Sequence, residues 1–153
     1  MAGRRAVGRI GLCLFLMLAS SGPALPQSDP LRILSAIPTE VMFLRAAGQW
    51  RQGERSGPLR LVLLRTASPD GAMRLYVQWL QVADERTGRL ASVATEEIPE
   101  IHDWRVRIED YRIEPDVYGA RVAFDGTALT SGRSRRYLLV IGPPGEVSFS
   151  ALR

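Results

Sequence analysis

The chain contains 153 residues, with 20 basic and 16 acidic side chains, one His and one Cys, which gives a formal net charge of +4. A hydrophobic fraction of 46% with mixed charges is typical of one folded domain and excludes a disordered or fibrous chain. Every basic residue is Arg, and the sequence has no Lys and no Asn. These absences exclude Schiff-base lysine chemistry, a Walker-type phosphate loop and N-glycosylation.

The N-terminus has the pattern of a secretory signal peptide. Arg4, Arg5 and Arg9 precede an uncharged apolar run over residues 10–19, and small residues follow up to Ala24. Because the run is about half the roughly 20 residues that a membrane-spanning helix needs, we expect a cleaved signal over residues 1–24; an uncleaved anchor is the alternative. The expected location is periplasmic or secreted, with no stable membrane span after cleavage.

Further expectations follow from composition and cleavage. An Arg- and Ala-rich chain without Lys or Asn indicates a GC-rich bacterial genome, because Lys and Asn codons are AT-rich. Removal of residues 1–24 takes away three Arg and no acid, leaving 17 basic and 16 acidic side chains, so no nucleic-acid partner is expected. Cys13 is removed as well, and we expect neither a disulfide nor lipidation, since Leu12 precedes it within the apolar run.

The segment 25–47 is predicted to be a lead-in with a short helix. Asp29 and Pro30 suit an N-cap and a first helical position. A second helix is predicted over residues 39–47, capped by Thr39 and ended by Gly48. The alternative is a strand that begins at Val41, because the short run fits both patterns.

From residue 48 onward, apolar residues alternate with polar ones, which is the pattern of half-buried strands. Turn residues separate these runs at short intervals. We therefore predict one mainly β domain over residues 48–153, a small antiparallel β-sandwich or barrel of about seven or eight strands behind the short N-terminal helical segment. The predicted strands are 48–54, 58–66, 72–83, 89–97, 104–113, 117–130, 135–141 and 146–152.

Two places in these strands interrupt the alternation. The apolar phase changes near Asp110, which predicts a β-bulge. Asp125 and Gly126 lie inside the sixth predicted strand, and they indicate a bulge or a bend there, with a hairpin as the alternative.

The only histidine, His102, lies in an acidic stretch between the fourth and fifth predicted strands. One histidine cannot supply a typical zinc site, and Pro99 with its neighbouring Ile residues does not suit a calcium loop. The chain has no G-x-S-x-G turn to present a nucleophile, and Asp103 would face away from His102 on a strand. We therefore expect a solvated connection here, with no metal, no cofactor and no catalytic residue.

The three tryptophans are the strongest candidates for a binding site. Trp50, Trp79 and Trp104 lie on three separate predicted strands or strand starts, and Trp79 and Trp104 have the apolar parity of their runs. Large rings at such positions usually fill the core of a small β domain. The functional alternative is a pocket lined by Trp50, Trp79 and Trp104 that holds an apolar or sugar ligand.

The arginines are scattered among acidic residues, which favours a solvated surface with ion pairs. The densest group is Arg133-Ser134-Arg135-Arg136. Because guanidinium groups match carboxylates and phosphates, this group is a candidate contact for anionic lipid or polysaccharide.

Two short motifs resemble those of lipocalins. Gly48-Gln49-Trp50 is similar to the G-x-W signature that opens their first strand, and Asp110-Tyr111 resembles part of their second motif, with Glu109 where that motif has Thr. The resemblance covers five residues, and it implies an eight-stranded barrel with an apolar ligand in its mouth.

The expectation for function is an exported bacterial envelope protein with a non-catalytic binding or protein-interaction role. Its partner would be an envelope protein or a small apolar ligand. One alternative is a small carrier of an apolar ligand or a sugar with a Trp-lined pocket. Another is a carboxylate-dependent envelope hydrolase that uses Glu97 or His102, because 16 acids offer many carboxylate pairs.

Overall fold

The structure is a computed structural model that describes residues 29–67 and 71–152. The predicted signal peptide over residues 1–24, including Cys13, lies outside the described residues. Part of one predicted turn, residues 68–70, lies outside them as well.

Two antiparallel four-stranded sheets form the molecule. Sheet 1 has the order β1-β2-β3-β4 and sheet 2 has the order β5-β6-β7-β8, so each sheet is a simple meander. The elements in chain order are α1 (Pro30–Ser35), β1 (Val41–Gln52), β2 (Arg55–Arg65), β3 (Met73–Asp84), β4 (Arg89–Ile98), α2 (Pro99–Asp103), β5 (Val106–Pro115), β6 (Ala120–Ala128), β7 (Arg133–Ile141) and β8 (Val147–Ala151).

This arrangement confirms the prediction of a mainly β, antiparallel fold and favours the sandwich. Each of the eight predicted strands overlaps an observed strand. The barrel implied by the lipocalin resemblance is not formed in the described chain, because α2 separates β4 from β5 and the two sheets share no ladder.

The lead-in is partly as predicted. The Asp29 side chain accepts a hydrogen bond from the Leu31 backbone N–H at 3.0 Å, and Pro30 opens α1, which confirms this helix start. The helix predicted over residues 39–47 is wrong, and the alternative of a strand from Val41 is right. The physical reason is tertiary: β1 pairs along its whole length with the apolar strand β2, which overrides a weak local helix signal.

Gly48 therefore serves a different purpose from the predicted helix terminator. It follows a β-bulge in β1 with a φ of 133°, and a Cβ at this position would lie 3.1 Å from the Gly119 carbonyl oxygen and 3.2 Å from the Pro115 side chain. Gly48 thus permits β1 of sheet 1 to pass close to the β5–β6 turn of sheet 2.

The irregularity predicted near Asp110 is confirmed, because the β5–β6 register shifts between Ile108 and Asp110. Asp125 and Gly126 lie opposite this shift, and their own pairing with β7 is regular. The bulge or bend predicted at Asp125-Gly126 therefore belongs to β5 across the ladder, and β6 itself continues without a hairpin there.

The apolar faces of the two sheets meet in one core. Its fully buried members include both indole rings of sheet 1 and the Phe124 ring of sheet 2. Within residues 29–67 and 71–152, no polar or charged residue is fully buried. In this part of the chain, no helix is long and apolar enough to cross a bilayer.

Candidate functional site

The structure places Trp50 and Trp79 in the core. Both have 0% exposed surface. The Trp50 Nε1–H donates to the Leu80 carbonyl at 2.9 Å, and the Trp79 Nε1–H donates to the Gly142 carbonyl at 2.8 Å. Because each indole is enclosed and its one polar group is satisfied by the backbone, a ligand would reach these rings only by displacing core side chains.

Trp104 occupies a different environment, with 45% of its surface exposed. Its ring centroid lies 6.3 Å from that of Tyr137 and 5.7 Å from that of Phe149, while Tyr137 and Phe149 stack at 5.5 Å with an interplanar angle of 10°. We call Trp104, Tyr137 and Phe149 the aromatic cluster. In this cluster the half-exposed indole of Trp104 packs against the two stacked rings. Its exposed face is a suitable surface for a flat ligand.

The short helix α2 positions Trp104. The sequence predicted a strand from residue 104, but α2 begins with Pro99, Trp104 forms its C-cap and β5 begins only at Val106. The Trp104 backbone N–H donates to the Glu100 carbonyl at 2.9 Å, and Arg105 follows with a φ of 52°, so the chain reverses sharply into β5. This turn lifts Trp104 out of the strand face and places it at the end of the sandwich.

A backbone hydrogen bond ties this turn to the next one in space. The Leu129 N–H donates to the Arg105 carbonyl at 3.0 Å, and the Gly132 N–H closes the β6–β7 turn on the Ala128 carbonyl at 2.8 Å. The α2–β5 connection and the β6–β7 turn are therefore held side by side, which keeps Trp104 next to the first residues of β7.

An open pocket of about 380 Å³ lies between these two turns, near the lower end of the usual range for small-molecule sites. We call it the Trp104 pocket. Ala128 and Ala151 lie beneath it, opposite Arg133 and Tyr137 in the ladders, and their short side chains leave the space free. The other lining residues are Trp104, Thr130, Ser131, Arg133, Arg135 and Tyr137.

The Arg-rich run of β7 is divided between the two faces of sheet 2. Arg133 and Arg135 have the parity of the buried Tyr137 and line the Trp104 pocket. Arg136 has the opposite parity, and its Nε lies 2.9 Å from Asp125 Oδ1 on the outer face. The hydrogen bond between them lowers the pKa of Asp125 and raises that of Arg136.

The Trp104 pocket has a positive lining. No acidic side chain is among its lining residues, and in the described part of the chain the guanidinium groups of Arg133 and Arg135 form no hydrogen bond or ion pair with another residue. Because both guanidinium groups are permanently charged donors, the pocket offers a local positive potential beside an aromatic surface.

The acidic stretch around His102 differs from the predicted connection in one respect. Residues 99–103 form α2, and within it His102 Nδ1 lies 3.3 Å from Asp103 Oδ1. The prediction that Asp103 faces away from His102 is wrong, because the two residues lie on a helix and not on a strand. Both side chains are substantially exposed, at 41% and 68%.

The remaining candidate residues for catalysis or metal binding are the acidic side chains. Glu97 is paired with Arg74 at 2.9 Å across the outer face of sheet 1. Over residues 29–67 and 71–152, no group of three or more His, Cys, Asp or Glu side chains is arranged to hold a metal ion.

Of the three predicted site residues, Trp104 alone lies at an accessible pocket. Sequence reasoning missed its neighbours Arg133, Arg135 and Tyr137. The signal that would have found them is the parity of β7, since residues 133, 135, 137, 139 and 141 share one face and only the first two are charged. The chain matches no protein-family model, no curated protein and no solved structure.

Proposed function

We propose that the protein is a non-catalytic binding protein of the bacterial envelope, which holds a small ring-shaped ligand in the Trp104 pocket. The observation that carries this proposal is the half-exposed indole of Trp104, which rests on Tyr137 and Phe149 beside an unfilled volume of about 380 Å³. An aromatic ring that is open to solvent in a concave site offers an apolar face on which the C–H face of a sugar ring or a flat molecule can pack.

The filled core supports this location over a cavity between the sheets. Trp79, Phe124 and Leu139 have 0% exposure, and they occupy the space in which a barrel-type carrier would hold an apolar ligand. The proposal therefore keeps the predicted class of ligand carrier, reduces the three-Trp site to Trp104, and moves the site to the end of the sandwich.

Calorimetric titration and tryptophan emission test the proposal. We expect monosaccharide rings such as glucose, N-acetylglucosamine and glucuronate to include at least one ligand that binds and shifts the emission. Trp104→Ala should abolish this binding, because it removes the ring on which the ligand lies. Tyr118→Ala is the matched control, since Tyr118 is a 59% exposed aromatic residue in the turn at the other end of β6.

Absence of binding across this panel would contradict the proposed function, and so would full binding by the Trp104→Ala variant. The envelope location has a separate test. If residues 1–24 are a cleaved signal, protein sequencing of the exported form should begin at Leu25, whereas recovery of the intact N-terminus in the cytosol would contradict export.

A further inference from the structure

The positive charges at the Trp104 pocket indicate that the ring ligand has a negatively charged group. Arg133 and Arg135 lie two residues apart on one face of β7, so their Cα atoms are separated by about 6–7 Å. Tyr137 follows on the same face, which places both guanidinium groups in line with the aromatic cluster. One ligand of sugar size spans this distance.

These two arginines differ from most of the other arginines of sheet 2. Arg107, Arg112 and Arg136 are each within 3.3 Å of a carboxylate of the protein itself. The remaining one, Arg121, lines a different pocket whose wall includes two acidic residues. Arg133 and Arg135 have no such carboxylate among the residues that the structure describes, although they are permanent cations at a pocket wall. A guanidinium group is a forked donor that matches a carboxylate in two hydrogen bonds. A carboxylate on the ligand could therefore bind to these two guanidinium groups.

Resting on the proposed function, we infer that the Trp104 pocket selects acidic sugars, with the ring on Trp104 and the carboxylate on Arg133 and Arg135. Thr130 and Ser131 add hydroxyl groups to the same wall, which suit the hydroxyls of a sugar. A fatty acid has the same carboxylate but needs an enclosed apolar channel for its chain, and the interior that would supply it is filled by the core.

The test compares two ligands that differ in one group. Glucose and glucuronate have the same ring, and glucuronate has a carboxylate where glucose has a hydroxymethyl group. We expect calorimetric titration to show glucuronate binding about tenfold or more tighter than glucose, with the advantage falling as salt is raised. Arg135→Gln should remove most of this advantage, so that glucuronate binding weakens by a larger factor than glucose binding, and Arg133→Gln provides an independent second variant.

Arg136→Gln is the matched control, because it removes a charge from the same strand on the face that bears Asp125. This variant should bind glucuronate as the parent protein does. Arg135→Lys keeps the charge but loses the fork, so it should bind with intermediate affinity if the carboxylate is held by two hydrogen bonds.

Three outcomes are distinguishable. Equal binding of glucose and glucuronate, unaffected by Arg135→Gln, would overturn the inference and leave the proposed function standing. Failure of every ring ligand to bind would overturn both. Sedimentation with phosphatidylglycerol vesicles but not phosphatidylcholine vesicles, lost in Arg135→Gln and without glucuronate binding, would assign the two arginines to an anionic membrane surface and overturn the acidic-sugar inference.

Discussion

Trp79 in the interior and Trp104 at the end of the sandwich are the same side chain in opposite environments. Trp79 has 0% exposure and donates its indole N–H to a carbonyl, whereas Trp104 has 45% exposure and leans on two other rings. The first arrangement uses the whole side chain for packing. The second leaves part of a large ring in water, at the wall of an open pocket. The difference separates the part of the molecule that stabilises the fold from the part that is available for binding.

The largest effect should come from the interior ring. Trp79→Ala should lower the free energy of unfolding by about 3–5 kcal/mol, because it leaves a cavity between the sheets and an unsatisfied carbonyl at Gly142. Chemical denaturation measures this change. A loss below about 1 kcal/mol would contradict the assignment of Trp79 to the core and remove its contrast with Trp104.

The next largest effect on stability should come from Gly119, where the backbone just before β6 lies close to the end of β7. A Cβ at Gly119 would lie 1.8 Å from the Ile141 carbonyl oxygen, so Gly119→Ala must force the β6 and β7 backbones apart. We expect a loss of about 1–3 kcal/mol, measured by denaturation. In contrast, Ala128→Ser adds an oxygen at the wall of the Trp104 pocket, where space is available, and it should leave stability nearly unchanged. Equal losses in the two variants would contradict the distinction between a filled interior and an open pocket.

Trp104→Ala should change stability less than Trp79→Ala. The two ring pairs with Tyr137 and Phe149 contribute about 0.5–1.5 kcal/mol each, and the indole is already partly hydrated, so less apolar area is lost than at the enclosed Trp79. The thermal midpoint should therefore fall less than in Trp79→Ala. A collapse of the fold in this variant would assign Trp104 to the core and remove the argument for a binding platform.

The smallest effect concerns the outer face of β7 and depends on pH. The hydrogen bond from Arg136 lowers the pKa of Asp125 below its ordinary value of 3.8 in the folded protein. This pair therefore stabilises the fold above that value, and the contribution is lost as pH falls through the lowered pKa. Asp125→Asn should be slightly less stable than the parent at pH 7, and this difference in the free energy of unfolding should shrink as pH is lowered below 3.8. A difference that stays constant as the pH is lowered would contradict this origin.

The sequence was sufficient for most of the fold because strand alternation, turn residues and the Asp29 cap are local signals. For the first half of β1 the sequence favoured a helix and left a strand as the alternative, since only its pairing with β2 decides between the two. The helix α2 was missed because five residues are too few to show a period. Without α2, the sequence placed Trp104 on a strand face and predicted no contact between Asp103 and His102.

The candidate site was only partly predictable for a related reason. Trp104 stood out by residue type, as did Trp50 and Trp79, and type alone does not distinguish a buried ring from an exposed one. The division of Arg135 from Arg136 onto opposite faces follows from strand parity, whereas the position of Arg135 beside Trp104 depends on how α2 and the β6–β7 turn come together.

The most direct test is to follow the three indole N–H resonances in a ¹⁵N-correlated NMR spectrum while sodium glucuronate is added. Only one of the three should shift, and Trp104→Phe should identify it by its disappearance, while the signals of Trp50 and Trp79 stay in place because both groups are buried and bonded to carbonyls. Movement of the Trp50 or Trp79 signals instead, or no movement at saturating glucuronate, would contradict an acidic-ring site at Trp104.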